Sequence, residues 1–176
     1  MDLSSTSLRT HRLHLRAFVP ADAPEAHAAS TPTLTRYMTW DPAPSAEHFE
    51  QICRTWLPLM VAGSDVPLAV RLASNQEFLG MAGLHHIDAS EPEVGIWIKE
   101  AMHGHGFGRE AVAALVCFAA RLGKRAVLYP AVEENLRSRQ LAECLGGHII
   151  GKGALRKASG VELPELIYRI PVTRCG

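Results

Sequence analysis

The chain has 176 residues, of which 47% are hydrophobic and 20% charged, a length and composition typical of one soluble globular domain. Its 18 Lys and Arg residues balance 18 Asp and Glu residues, so no basic surplus indicates a nucleic-acid partner. No apolar run reaches the roughly 18 residues of a membrane span, and we expect no secretory signal at the start.

The N-terminal part predicts a strand followed by helices. Leu13 and Leu15 alternate with polar residues in LRTHRLHLRAF, which predicts a strand ending near Phe18. VPADAPEAHAAS begins with Pro and Asp near its start and predicts a short helix, and TLTRYMTWDPAP predicts another short helix with a loop. We expect Ser45 to cap a helix over AEHFEQICRTWLPLM, with Phe49, Ile52, Cys53, Trp56 and Leu57 on one face.

The rest of the chain mixes strands and helices. PLAVRLA, EFLGMAGLHHID and EVGIWIK are joined by turn-forming residues and predict an antiparallel meander. A glycine-rich stretch precedes the helix REAVAALVCFAARLG, which should end at Gly123. RAVLYPAV predicts a strand, ENLRSRQLAECLGG a helix, and HIIGKGALR with ELIYRIPV a closing hairpin. This order predicts a mixed α/β sheet in a single domain over residues 1–176.

The cysteines show no metal or redox pattern. Cys53, Cys117, Cys144 and Cys175 contain no C-x-x-C spacing, which argues against a zinc ribbon or a redox pair. We therefore expect no metal site, thiols that are reduced, a cytoplasmic location, and core positions for Cys117 and Cys144.

The stretch HGHGFGREA, from His103 to Ala111, carries three glycines within five residues. Each glycine inside an element costs roughly 0.5–1 kcal/mol against alanine, so we expect a sharp turn or backbone N–H groups left open to a ligand. A predicted strand precedes the glycines and a predicted helix follows, which favours binding of an anion, most commonly a phosphate. The alternative is a glycine-rich turn without a ligand.

Two nucleotide-binding motifs can be compared with this stretch. No Walker A pattern is present, but residues 106–111 match the dinucleotide pattern G-x-G-x-x-A, and Glu133 and Glu134 follow the next strand. KEAMH, however, separates the strand from the glycines by more than that fold's tight turn allows. A dinucleotide-dependent oxidoreductase is therefore the less favoured alternative.

Four motifs occur in order between about Thr10 and Val172: THRLHLR, EVGIWI, HGHGFG, and NLRS followed by LGG. Together they resemble the GNAT superfamily of N-acetyltransferases and within it the RimJ/RimL-like branch, with its patterns T-x-R-L-x-L-R, E-x-G-x-W-x and N-x-x-S…L-G-[FG]. HGHGFG resembles the acyl-CoA pyrophosphate loop [QR]-x-x-G-x-[GA], with His103 where the family has Gln or Arg. If His103 replaces that residue as a cation, CoA binding should weaken as pH rises through the imidazole range.

The resemblance implies a mixed, mostly antiparallel sheet flanked by helices, with a central splayed V-shaped cleft. It implies direct transfer of an acetyl group from acetyl-CoA to a primary amine. Pantetheine would pair with a free strand edge, for which our candidates are Ile96, Trp97 and Ile98. The remaining candidates for cofactor binding are His103, Gly104, His105, Gly106, Phe107, Gly108, Arg109, Asn135 and Ser138.

The same chemistry needs a base for the amine and a proton donor for the departing sulfur. Glu93 is our candidate base, with His85 and His86 as alternatives; these two are expected on opposite faces of a strand. The resemblance places Ser138 near the thioester sulfur, with Tyr129 as the alternative acid. Asn135 should cap a helix as well as contact pantetheine. Arg137 and Arg139 either meet the 3′-phosphate of CoA or lie on a solvated helix face.

The sequence leaves the acceptor open among protein N-termini, peptides and small-molecule amines. We expect acetyl-CoA and an amine as partners, no nucleic acid and no membrane, and we leave a homodimer open. A non-catalytic acyl-CoA-binding module is the second alternative function.

Overall fold

The computed structural model describes residues 1–172. Its strands are β1 (Ser7–Arg9), β2 (Leu13–Ala17), β3 (Val66–Leu72), β4 (Phe78–His85), β5 (Glu93–Ile98), β6 (Ala126–Val132), β7 (His148–Arg156) and β8 (Glu162–Pro171). Its α-helices are α1 (Ala23–Ala29), α2 (Ala46–Arg54), α3 (Leu57–Ala62), α4 (Phe107–Arg121) and α5 (Leu136–Cys144). Short 3-10 helices occupy Pro20–Asp22, Leu34–Tyr37 and Glu100–Met102.

Within the described residues, the strands form one eight-stranded sheet in the order β1-β2-β3-β4-β5-β6-β8-β7. Every neighbouring pair is antiparallel except β5 and β6, which are parallel. The predicted meander and the predicted closing hairpin are both present. The mixed, mostly antiparallel sheet flanked by helices is therefore confirmed.

The sheet opens at its centre, between β5 and β6. These strands share one residue pair, Glu93 with Leu128, and a further hydrogen bond runs from Leu128 N–H to the Pro92 carbonyl. A parallel pair requires a crossover connection, here through α4. Beyond Glu93 the edge of β5 that faces β6 is not paired with another strand in the described part of the chain. This divergence is the expected V-shaped cleft.

The two faces of the sheet carry different cores. Leu84 and Val94 belong to the larger core, which includes the buried face of α4 with Val112 and Leu115. The opposite face packs against α1 and α2 through a smaller core that includes Phe18, Phe49, Phe78 and Met81. None of the helices within residues 1–172 combines the length and apolar character needed to cross a membrane.

Two predictions are wrong, because one predicted strand and one predicted helix are each divided into two elements in the structure. The N-terminal strand is a hairpin of β1 and β2, because Thr10 turns the chain by accepting the Leu13 N–H at its side chain and donating its own N–H to the Leu13 carbonyl. The helix after Ser45 divides into α2 and α3, since Pro58 has no N–H to continue the helical ladder. Ser45 does cap α2, at 3.2 Å from the His48 N–H, but Ile52 is 39% exposed.

The cysteine expectations are also partly wrong. Cys53 is a buried free thiol, whereas Cys144 is a free thiol exposed to solvent rather than part of the core. Cys117 is disulfide-bonded, which differs from the reduced state expected from the sequence. Cys175 lies outside the described residues.

Candidate active site

The glycine loop joins the Glu100–Met102 turn to α4 and adopts the conformation that only glycine takes easily. Gly104 has φ of 82° and Gly106, the N-cap residue of α4, has φ of 78°. Both values lie in the left-handed region, where a Cβ would be strained. The glycine at 106 provides no capping side chain, so N–H groups of the first turn of α4 are available to an anion.

Two side chains of the N-terminal hairpin, those of Thr10 and Arg12, bind this loop and the start of α4. The Arg12 side chain bonds the Glu110 carboxylate at 2.7 Å and the His105 carbonyl at 3.0 Å, and its guanidinium lies 4.7 Å from the centre of the Phe107 ring. Thr10 donates to Glu110 at 2.6 Å. Thr10 and Arg12 are the first and third residues of the motif THRLHLR, so the motif was visible in the sequence but its role in positioning the loop was not.

His103 is used for hydrogen bonds within the protein. Its Nε2 lies 2.6 Å from the Ile98 carbonyl oxygen, and its Nδ1 lies 3.4 Å from Nη1 of Arg137. A carbonyl only accepts and a guanidinium only donates, so Nε2 carries the proton and Nδ1 is the acceptor. Arg137 thus adds a positive charge beside His103 at this position.

A cavity of about 910 Å³ opens at the splayed strands. Four groups of residues around it carry the chemistry. They are the aromatic residues Tyr37, Trp40 and Trp56; the sheet residues Gly83, His85, Glu93, Gly95, Ile96 and Trp97; Tyr129, Asn135 and Ser138 from β6 and the start of α5; and Asp41, Asp65, Arg156 and Glu165 from the surrounding segments. The structure thus brings together Glu93, Tyr129, Ser138 and Asn135. The glycine loop, Arg109 and Ile98 lie outside this cavity.

Tyr129 and Ser138 form a hydrogen-bonded pair in the cavity wall, with their oxygens 2.9 Å apart. Asn135 caps α5 as predicted, accepting the Ser138 N–H at 3.2 Å. Burial raises the pKa of Tyr129 to about 12, against the lowering effect of the bond to Ser138. Tyr129 is therefore an O–H donor at neutral pH and cannot serve as a base there.

The three strand-edge candidates differ in their surroundings. The Trp97 ring packs edge-on against Trp40 and Phe78, on the side of the sheet that faces α1 and α2. Ile96 packs against the larger core. The Ile98 carbonyl accepts the bond from His103. The side chains of Ile96 and Trp97 therefore pack against the two different cores of the sheet.

Glu165 is a cavity residue that sequence reasoning missed. It lies on β8 and its carboxylate interacts with that of Glu93 across the cleft. Burial, and then repulsion by Glu93, raise the pKa of Glu165. No sequence motif indicated this pair, since β5 and β8 are brought together only by the sheet order.

The raised pKa of Glu165 predicts that Glu165→Gln stabilises the protein at neutral pH. A raised carboxyl pKa contributes stability below the unfolded-state value of 4.5, and this contribution is lost as pH rises through the folded-state pKa. The variant should therefore unfold at higher urea than the wild type at pH 7, and the difference should shrink towards pH 4. Glu162→Gln is the control on the same strand: its ion pair with Arg156 is exposed, so this variant should differ little from the wild type at either pH. If Glu165→Gln were stabilised equally at pH 7 and pH 4, the stabilisation would not have an electrostatic origin.

A family comparison identifies the fold and its chemistry. Residues 12–148 match the family model described as Acetyltransferase (GNAT) domain, which is more than half of the chain. The chain belongs to the GNAT acetyltransferase family. The protein is therefore an acyl-CoA-dependent N-acyltransferase of a family whose members use acetyl-CoA. This assignment favours the acyl-CoA interpretation of the glycine loop over the dinucleotide alternative.

Solved GNAT structures share the fold across nearly the whole chain. A Vibrio cholerae protein provisionally assigned as a ribosomal-protein-serine acetyltransferase has a TM-score of 0.82 at 22% identity, covering 97% of this chain and 99% of that one. RimL, a ribosomal alpha-N-protein acetyltransferase solved in complex with coenzyme A, has a TM-score of 0.82 at 18% identity, covering 95% and 98%. A GNAT-family acetyltransferase from Bacillus anthracis has a TM-score of 0.78 at 16% identity, covering 94% and 98%. Among curated proteins, no match to this chain is found.

The described residues fit acetyl-CoA in two respects. The unpaired edge of β5 can hydrogen-bond an extended amide chain such as pantetheine, as an added strand would. A Cβ built on Gly104 has no described atom within 4 Å, and one built on Gly106 has Nη2 of Arg12 at 3.5 Å, so the backbone of the loop is open to a phosphate. When bound, acetyl-CoA supplies the activated acetyl group.

Proposed function

We propose that this enzyme acetylates a primary amine of a protein N-terminus, a peptide or a small molecule by direct attack on acetyl-CoA. The observation that carries the proposal is the hydrogen-bonded Tyr129–Ser138 pair, which lines the same cavity as Glu93 and His85 at the point where β5 and β6 diverge. Proton donors and proton acceptors thus share one cavity beside the strand edge that suits pantetheine.

Backbone groups supply most of the donor site in this proposal. The edge of β5 at Ile96, Trp97 and Ile98 pairs with pantetheine, and the N–H groups of the loop from His103 to Arg109 bind the pyrophosphate. Asn135 lies at the cavity wall, where its amide can contact the pantetheine arm while it caps α5. Arg137 is exposed and in contact with His103, so it can add positive charge beside the loop. Arg139 instead bonds the Tyr168 hydroxyl and the Glu133 carbonyl.

The acid and the base lie on different strands around the cavity. Ser138 donates a hydrogen bond to the departing sulfur, and Tyr129, as a donor to Ser138 Oγ, supports it. On the sheet, Glu93 and His85 are both within the cavity wall and are the two candidates for the proton acceptor. His86 has φ of 54° and lies beyond the end of β4 and outside the cavity, so it is not a candidate.

The acceptor side combines aromatic rings with carboxylates. Tyr37, Trp40 and Trp56 line the cavity together with Asp41 and Glu165, a mixture suited to an amine carried on an apolar group. Two of the compared structures are named as ribosomal-protein acetyltransferases, which makes protein N-termini the first acceptors to try. The cytoplasmic location expected from the sequence is part of this proposal.

Thiol release from acetyl-CoA tests the proposal. The enzyme would be assayed against peptides with free N-termini, amino acids and aminoglycosides, and we expect amine-dependent release of CoA with one of these classes. Stabilisation by acetyl-CoA in a thermal-shift assay without turnover on any amine would favour the non-catalytic binding module instead.

The glycine loop gives a separate prediction for binding. Gly106→Asp introduces a negative charge where the pyrophosphate is expected, and should lower CoA affinity at least tenfold, or about 1.4 kcal/mol. Gly106→Asn is the matched control, because Asn tolerates the left-handed conformation and has the same size without the charge. Isothermal titration with CoA measures both variants. Equal affinity in a folded Asp variant and the wild type would place the phosphate site elsewhere.

A further inference from the structure

His85 is held in an orientation that suits proton abstraction. Its Nδ1 lies 3.0 Å from Oδ1 of Asp65, which precedes β3. A carboxylate only accepts, so Nδ1 carries the proton and Nε2 presents a lone pair. Within residues 1–172, Nε2 has no hydrogen-bond partner, and the side chain is 41% exposed. A carboxylate that orients an imidazole and stabilises its charged form is the arrangement of hydrolase triads.

Two glycines make room for the ring over the open part of the cleft. Gly83 and Gly95 are directly paired across β4 and β5, as are His85 and Glu93, so all four lie on one face of the sheet. A Cβ on Gly95 would lie 3.0 Å from Nε2, and one on Gly83 would lie 3.5 Å from it. The imidazole therefore lies over these glycines. A side chain at 95 would crowd it.

The position of Nε2 distinguishes His85 from Glu93. Glu93 is the residue at which β5 still pairs with β6, through Leu128, so it lies at the closed end of the V. Gly95 is two residues further along β5, where the strands have diverged. An acyl group held between the strands must lie in the diverged part, beside Nε2.

We propose that His85, oriented by Asp65, takes the proton from the acceptor amine. This inference rests on the proposed N-acetylation of amines. One proton of the ammonium moves to Nε2, the nitrogen lone pair forms the C–N bond, and the C–S bond breaks with its electron pair on sulfur. The sulfur gains a proton by way of Ser138, and the second proton lost from nitrogen restores that donor. His85 passes its proton to solvent, so the reaction releases one proton overall.

Several charged groups share the cavity and contribute to any pH profile. Asp65 contacts His85 directly, Glu93 is its neighbour on β5, and Glu165, Asp41 and Arg156 face the same space from β8, the Asp41 loop and β7. The test must therefore compare His85 with these groups rather than rely on the wild-type profile alone.

The experiment measures kcat/KM for the amine against pH at saturating acetyl-CoA, by thiol release. His85→Gln should lower kcat/KM about a hundredfold near neutral pH and replace the acid limb of the wild type with one at higher pH that follows deprotonation of the amine itself. Its activity should recover at high pH, where the amine is already deprotonated. Asp65→Asn removes the acceptor that fixes the proton on Nδ1, so it should lower kcat for the amine while leaving the KM for acetyl-CoA nearly unchanged. His86→Asn, outside the cavity, is the matched control and should behave as the wild type.

The outcomes separate this inference from the proposed function. Thermal stabilisation by acetyl-CoA shows that each variant is folded. Wild-type turnover with an acid limb that is unchanged in His85→Gln and shifts to higher pH in Glu93→Gln would overturn the role of His85 alone. Absence of turnover in the wild type with every amine class would overturn the proposed function and this inference together.

Discussion

Ser138→Ala should lower kcat about a hundredfold while leaving the KM for acetyl-CoA nearly unchanged. The hydroxyl can donate to the sulfur only as negative charge develops there, so the contact is stronger in the transition state than in the ground state. General-acid contributions are typically of this size or larger. Steady-state kinetics with an identified amine acceptor measures both parameters.

The substitution removes the partner of the buried Tyr129 hydroxyl, so thermal stabilisation by acetyl-CoA is used to show that the variant is folded. The cap of α5 uses the Ser138 backbone N–H, which alanine retains, and alanine is favourable inside a helix. Tyr129→Phe removes the other hydroxyl of the pair. If the two hydroxyls act as one relay, the double variant should be no slower than Ser138→Ala. A Ser138→Ala enzyme with wild-type kcat would assign the proton to Tyr129 directly.

Asp22→Asn should destabilise the fold by about 3 kcal/mol, the lower end of the range for breaking a buried ion pair. Asp22 is 2% exposed, and its carboxylate bonds Arg16 at 2.8 Å and Arg71 at 2.7 Å. Loss of the carboxylate leaves Arg71, itself 8% exposed, with a bond to Glu25 as its remaining carboxylate contact. The midpoint temperature of thermal unfolding should fall by roughly 6–12 °C for a chain of this size.

The pH dependence gives this prediction a second test. Burial opposes ionisation of Asp22, but bonds from Arg16, the Val19 N–H and Arg71 outweigh it and lower the pKa of Asp22. A lowered carboxyl pKa contributes stability above the unfolded-state value of 3.8, and this is lost as pH falls through the folded-state pKa. The difference in the free energy of unfolding between Asp22→Asn and the wild type should therefore become smaller at acidic pH.

An exposed ion pair supplies the control for Asp22. Glu50→Gln removes the partner of Arg54 on the surface of α2, where the Arg54 side chain is 60% and the Glu50 side chain 36% exposed. Its effect should stay below about 0.5 kcal/mol, as is usual for i,i+4 pairs. A similar loss of stability in both variants would show that burial does not govern the Asp22 network.

The sequence by itself determined the family, most of the elements and the glycine loop. Alternating apolar residues, the caps at Ser45 and Asn135 and the glycine at 123 act within a few residues of one another, so local patterning suffices to predict them. The two exceptions are also local. Thr10 and Pro58 mark a turn and a helix break, but the longer apolar pattern around each of them predicts one continuous element.

Only the tertiary structure decided which side chains meet in the cavity. The sheet order brings Glu165 of β8 towards Glu93 of β5, and the segment before β3 brings Asp65 to His85. Arg12 likewise reaches Glu110 across 98 residues. Such contacts depend on strand order and register, which long-range packing selects. A sequence motif records that these residues are present, while the fold determines the partner of each one.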